Sequence, residues 1–340
     1  MNTPGRHLWV VALAAAAAGS AAHAAAASRS ATETAQAQPT LAERKAAARS
    51  TAAHNPYCQD IQPFYWSVGD SSGVKVDGRE GVGAPLAQTP LSIASASKMV
   101  YGTYAVEQMN GVVSKQAASY LNFTSGYTEF DLCLQNQTVA ECQSFHQGPI
   151  NNGGYVEAHK GKFFYSGGHM QKQAVVIGLG PDDNAALAAH VNGLLGTHFD
   201  YSQPQLAGGG VSTAANYGRM LQKIVSGELK MKGLLGTSKV CTNPLTCAKA
   251  LATPIPTDES WNYSLGHWVE DDPVVGDGAY SSAGAFGFYP WIEAKKRWWG
   301  VVARESTDGL NDDDSHRHPG VRSAYCGRQI RAAWMDGVPR

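Results

Sequence analysis

Six cysteines constrain this chain more than any other feature. Cys133 and Cys142 bracket a short loop, Cys241 and Cys247 bracket a shorter one holding Asn243-Pro244, and Cys58 and Cys326 stand near the two ends of the folded part. Disulfides persist in oxidising compartments, so this usage suits an exported protein. Bridges along those three pairs are expected, although six cysteines allow many connectivities and spacing alone does not choose. Closing the long Cys58–Cys326 loop would stabilise most, by on the order of 3–5 kcal/mol if unstrained. Metal binding is the competing use of cysteine. There is no C-x2-C pair and no thiolate–imidazole cluster at zinc spacing, so no metal is expected.

The N-terminus agrees with export. Arg6 and His7 precede an apolar run from Leu8 to Ala18, and Ala22-His23-Ala24 then offers the small-x-small pattern of a signal-peptidase site. Residues 1–24 therefore read as a signal peptide. The apolar run is too short to span a bilayer, and no later segment reads as transmembrane, so no stable membrane insertion is expected. Residence is periplasmic or extracellular. Residues 25–50 are rich in Ala, Thr and Gln and read as a flexible tether, although Leu41–Ala53 has helix-forming composition. Residues 51–340 then form a single domain. With 43% hydrophobic residues, 16% charged residues and a net charge of -1, it has a core-forming composition and no electrostatic footprint for nucleic acid.

Phe64–Val68 and Val74–Val76 read as strands around the turn-prone Gly69–Gly73. Lys98–Met109, residues 184–195 and Tyr217–Val225 carry helical spacing, the last after a Ser212-Thr213 start signal. Phe286–Ile292 and Trp298–Ala303 read as a hairpin separated by Glu293–Lys296, and Gln329–Met335 as a closing helix. The fold class is therefore α+β, with an antiparallel sheet built from both chain ends and flanked by helices. Its sheet parts are about 51–90 and 275–340, with a mostly helical second subdomain at about 95–260.

Ser95-Ala96-Ser97-Lys98 places a hydroxyl and an amine three residues apart at a helix start, on one face. A serine hydroxyl is a weak nucleophile until a base takes its proton, and a lysine serves when burial lowers its pKa. The spacing alone is common. Ser72-Gly73-Val74-Lys75 matches too, in a strand-like setting expected to point the two side chains apart.

The rest of the chain separates the two. Leu121-Asn122-Phe123-Thr124-Ser125-Gly126 resembles the leucine-x-x-threonine-serine-glycine element of class C-type β-lactamase relatives. Gly161–Gly168, with Tyr165-Ser166-Gly167, resembles their tyrosine-serine-asparagine element. Ala207–Thr213 resembles their glycine-glycine-x-x-serine-threonine turn. Ser282-Ala283-Gly284 resembles the strand carrying their Lys/His-Thr/Ser-Gly motif. In this order the chain resembles the serine β-lactamase/penicillin-binding-protein-like superfamily over roughly residues 85–330, on the class C and esterase branch.

The resemblance implies roles by position. Ser95 is the acylated nucleophile and Lys98 shares its proton. Tyr165 is the general base or relay, its phenol held partly ionised by Lys98. The Ser95 and Ala285 N–H groups form the oxyanion hole, and Ser282, Gly284 and Gly167 border the substrate. No cofactor is implied. Two departures matter. Gly167 replaces an asparagine that orients substrate, and Ser282 replaces a cation that pairs with a substrate carboxylate. The lost contact is worth about 1.5–3 kcal/mol. The implied function is an exported serine hydrolase acting on a small-molecule ester or amide. The alternatives are a β-lactamase or D-Ala-D-Ala carboxypeptidase, and a penicillin-binding-like sensor without turnover.

Other groups read as structural. Asp312–His318, with His316 and His318, is expected as a solvated loop. His169 lines the cleft or supports it. Trp261, Tyr263, Trp268 and Tyr289 wall a pocket or fill the core. The literal Tyr120-Leu121-Asn122 belongs to the threonine-serine-glycine element and is not taken as the catalytic tyrosine.

Overall fold

Residues 38–340 are described by a computed structural model of the protein. The segment expected to be a signal peptide and the first part of the expected tether lie outside the described residues. From Leu41 the chain is helical, so the tether expected over 25–50 does not extend past Thr40. The reason is local. Thr40 and Glu43 form a capping box, Thr40 Oγ1 accepting from the Glu43 amide at 3.2 Å and the Glu43 carboxylate accepting from the Thr40 amide at 2.7 Å. Helix α1, Leu41–His54, buries Ala47, Ala48 and Ala52. Asn55 then caps the short α2, Pro56–Gln59, which carries Cys58.

One eight-stranded sheet organises the rest. Its strands are β1 (Phe64–Asp70), β2 (Gly73–Glu80), β3 (Val240–Cys241), β4 (Asn262–Ser264), β5 (His267–Glu270), β6 (Ala279–Ser281), β7 (Tyr289–Ile292) and β8 (Trp299–Ala303). The spatial order is β3-β4-β5-β6-β7-β8-β1-β2, with every neighbouring pair antiparallel. The α+β sheet built from both chain ends is thus present, and β8 pairs directly with β1. Its extent differs from the expectation, because β3 to β5 fall within the stretch expected to be helical. β4 and β5 are joined by two residues, Leu265 at φ +43° and Gly266 at φ +89°, the backbone of a tight hairpin. Leucine is unfavoured there, and Asn122 compensates by accepting the Leu265 N–H at 2.6 Å.

The main helices are α3 (Ser97–Gln108), α4 (Gly168–Val176), α5 (Asn184–Leu195), α6 (Ala214–Ser226) and α7 (Pro319–Asp336). Helix α6 packs on β1 and β8 through Trp299. The indole lies between Gly69 of β1 and Gly218 of α6, and a Cβ at Gly218 would come within 2.8 Å of the ring. Helix α7 starts ten residues before the expected Gln329 and packs on β7, β8 and α1. Its Arg331 is buried and bonds Glu270 of β5 at 2.8 Å, Asp277 at 2.6 Å and the Tyr289 hydroxyl at 2.8 Å. Arg44 of α1 donates to the Trp334 and Met335 carbonyls at 2.6 and 2.9 Å, satisfying the end of α7.

The three cysteine pairs are those expected: Cys58–Cys326, which ties α2 to α7, Cys133–Cys142 and Cys241–Cys247. Among the described residues no helix is long and apolar enough to cross a membrane.

Candidate active site

Ser95 stands on a single 3-10 turn, Ala94–Ala96, that runs into α3. Ala94 holds φ +43°, a left-handed conformation that costs a non-glycine residue about 1–2 kcal/mol. Surrounding contacts hold it there. The Ile93 amide donates to the Gly210 carbonyl at 3.0 Å, and the Gly210 amide donates to Ser97 Oγ at 3.1 Å. Gly284 presses so closely on the Ile93 carbonyl that any Cβ would overlap it.

One turn on, Lys98 is 4% exposed. Its Nζ lies 2.8 Å from Ser95 Oγ and donates to the Ala207 carbonyl at 2.7 Å. Burial pushes the amine down to about 7, and no neighbouring carboxylate offsets it. The amine also faces the Tyr165 ring, 4.6 Å from its centre. It therefore meets the face of the ring as a cation–π partner.

Tyr165 is set by a short parallel pairing of Phe163–Phe164 with Ala250–Ala252, and its amide donates to Ala252 at 3.1 Å. The ring stacks on Trp268 at 5.3 Å and meets Phe123 and Tyr263 edge-on at 5.4 and 6.2 Å. This packing pushes the phenol well above its ordinary pKa, and its hydrogen bond with Ser95 opposes that only in part. The partly ionised phenol expected from the sequence is corrected here. Burial holds the Tyr165 phenol toward its neutral form, while it holds the Lys98 amine toward its own.

His169 is the clamp behind this arrangement. Its Nε2 lies 3.1 Å from the Phe164 carbonyl, which can only accept, so Nε2 carries the proton. Nδ1 accepts from the Ser125 hydroxyl at 2.6 Å, and burial pushes the imidazole down to about 3. The threonine-serine-glycine element is thereby fixed to the strand before Tyr165, and His169 supports the cleft without lining it.

Ser95, Tyr165, Gly284 and Ala285 line one cavity of about 190 Å³. Its apolar walls are Pro254, Ile255, Trp268, Leu310 and Val321, and no Asp, Glu, Lys or Arg lines it. That volume is below the roughly 300–1,000 Å³ typical of drug-sized ligands. A larger cavity of about 880 Å³ beside α7 shares no residue with it. Its charged walls are engaged with one another, as in Arg322 with Asp60 and Asp308, and Ser95 is not among its lining residues.

Two predicted residues do not reach the substrate space. Ser282 is buried and donates to the Ser95 carbonyl at 3.1 Å, so it braces the nucleophile turn. Gly167 faces Phe130, whose ring would lie 3.0 Å from a Cβ there. Of the four aromatics singled out, Trp268 alone lines the pocket, while Trp261, Tyr263 and Tyr289 are core. Lys75 does reach Ser72 Oγ, contrary to the splayed geometry expected, but as an exposed contact across the β1–β2 turn that also pairs with Asp70 at 3.1 Å. Sequence reasoning missed Pro254, Ile255, Leu310 and Val321, which carry no motif, and set His318 aside with its loop.

The eight-stranded antiparallel sheet, with the Ser95–Lys98 turn beside the 282–284 segment that follows β6, goes with a known architecture: the chain has the fold of the serine β-lactamases and penicillin-binding proteins. Among solved structures it is similar to a β-lactamase/D-alanine carboxypeptidase from Yersinia pestis, at 12% identity and TM-score 0.60, covering 87% of this chain and 99% of that one. A D-amino acid amidase from Ochrobactrum anthropi matches at 11% identity and TM-score 0.53, covering 86% and 98%. A β-lactamase from Mycobacterium bovis matches at 13% identity and TM-score 0.52, covering 81% and 96%. No protein-family model and no curated protein sequence matches the chain.

Proposed function

We propose that the protein is a serine hydrolase that works through a Ser95 acyl-enzyme on short, uncharged esters or amides. The carrying observation is the Lys98 amine, 2.8 Å from Ser95 Oγ and held near pKa 7 by burial. Lys98 takes the Ser95 proton as Oγ attacks the carbonyl carbon. The Ser95 and Ala285 N–H groups stabilise the oxyanion, and the proton passes from Lys98 through the Tyr165 hydroxyl to the leaving group. Water then releases the acid. Support for a small neutral substrate comes from the pocket: about 190 Å³, apolar walls, and no cation to receive a carboxylate.

A fluorophosphonate probe is expected to label the wild type at Ser95 and to leave Ser95→Ala unlabelled; equal labelling of both would remove the assignment. Turnover of p-nitrophenyl acetate is expected to exceed that of nitrocefin. A nitrocefin rate equal to or above the ester rate would favour the β-lactamase reading. A stable acyl-enzyme without product would favour the sensor.

Export belongs to the same proposal. The leader pattern at 1–24 and three disulfides support residence in an oxidising compartment. N-terminal sequencing of protein recovered from a bacterial periplasm or medium is expected to begin just after Ala24. A cytoplasmic protein retaining Met1 would refute this.

A further inference from the structure

Besides Tyr165, the pocket lining contains one titratable side chain, His318. We propose that His318 is the general base of deacylation, taking a proton from the water that attacks the Ser95 ester; this rests on the hydrolase reading above.

The geometry fixes which nitrogen is available. His318 lies between the 3-10 turn Ser315–Arg317 and Pro319 at the start of α7. Its Nε2 is 2.9 Å from the Asp312 carbonyl oxygen. A carbonyl only accepts, so Nε2 carries the proton and a neutral imidazole keeps its lone pair on Nδ1. No protein donor or acceptor engages Nδ1 among the described residues, and it is not a sealed-off buried atom, so it is open to water. The backbone holds the ring in place, since the Arg322 amide donates to the His318 carbonyl at 3.0 Å and the His318 amide donates to Ser315 at 3.2 Å.

The charged neighbours Arg317, His316, Arg322 and Asp314 are engaged elsewhere. Arg317 pairs with Asp312 at 3.1 Å, His316 with Asp258 at 3.1 Å and with the Tyr325 hydroxyl at 2.6 Å, and Arg322 with Asp60 and Asp308. Asp314 accepts from the His316 amide. None of these contacts uses Nδ1. No carboxylate lines the pocket, so among its side chains Nδ1 and the Tyr165 oxygen are the acceptors for a water that attacks the Ser95 ester. Lys98 and Tyr165 serve the leaving group during acylation, and water enters only after that group departs.

The step balances. The water oxygen bonds to the acyl carbon as its proton moves to Nδ1. The bond from the acyl carbon to Ser95 Oγ then breaks. The imidazolium proton returns to Oγ by way of the Tyr165 hydroxyl, leaving neutral imidazole, free serine and the acid.

The test is pre-steady-state hydrolysis of p-nitrophenyl acetate with intact-protein mass spectrometry, on the wild type, His318→Ala and His318→Gln. The glutamine amide can still donate to the Asp312 carbonyl but cannot take a proton. Both variants are expected to keep a full burst within about threefold of the wild-type rate, to lose roughly 100-fold or more in steady state, and to accumulate acetyl-Ser95. The burst amplitude itself counts folded sites. Unchanged steady-state rates, a glutamine variant that deacylates like the wild type, or equal losses in burst and steady state would each overturn the role of His318. No burst and no acetyl-Ser95 in any form would remove the hydrolase reading together with it.

Discussion

The burial of Lys98 works against the stability of the fold. A lysine buried without a carboxylate stays near pKa 7, against about 10.5 in the unfolded chain. The unfolded state therefore binds more protons across pH 7 to 10.5, and the folded state is penalised there by up to about 4 kcal/mol at pH 7. Stability from this group rises with pH and the penalty disappears above about 10.5. Lys98→Met is expected to raise the melting temperature at pH 7, to lose that advantage at pH 11, and to lower acylation by roughly 100-fold to 10,000-fold. In the wild type, the acylation rate is expected to climb with pH through about 7 as the amine loses its proton; a stopped-flow burst series checks this. The Ser95–Lys98 pair was legible because one turn of helix separates the two residues. The state of Tyr165 was not, because Trp268 and Tyr263, which desolvate it, come from strands far along the chain.

Elements were legible where their own ends signal them. Helix α5 runs over the predicted 184–195 because Asp183 caps it, accepting from the Ala186 amide at 2.9 Å, and Gly196 closes it at φ +63°. The β4–β5 hairpin was not legible, because its Leu265-Gly266 turn depends on Asn122, a residue from another part of the fold. Packing between elements is close where α6 meets the sheet. Gly218→Ala pushes a methyl against the Trp299 ring and is expected to cost about 1–3 kcal/mol in urea unfolding with the burst amplitude preserved. Arg331→Ala leaves the fully buried Glu270 with only the Tyr289 hydroxyl and Arg328 at 3.7 Å, and is expected to cost about 3–5 kcal/mol.

The molecule as a whole is closed by its ends. β1 pairs with β8, α1 caps α7, and Cys58 is bonded to Cys326 across 268 positions. In the chain-entropy account, that bridge is worth about 5 kcal/mol and the Cys241–Cys247 bridge, across 6 positions, about 2. Replacing each pair by alanine and comparing chemical-unfolding midpoints is expected to show that order. The long pairing was readable from cysteine positions near both ends. The acyl pocket was not, since Pro254, Leu310 and Val321 meet only when the sheet and α7 are assembled.

The pairing of β1 with β8 also sets when the Ser95 pocket can form. On the ribosome, β1 emerges early and waits unpaired on that side for a partner synthesised much later. Ser95 and Lys98 are made long before Leu310, His318 and Val321, the last pieces of the wall around them. A product cut short before α7 holds Ser95 and Lys98 without that wall, whereas a nick leaves α7 tied to α2 through Cys58–Cys326. The pocket beside Ser95 is therefore walled only once α7 has docked.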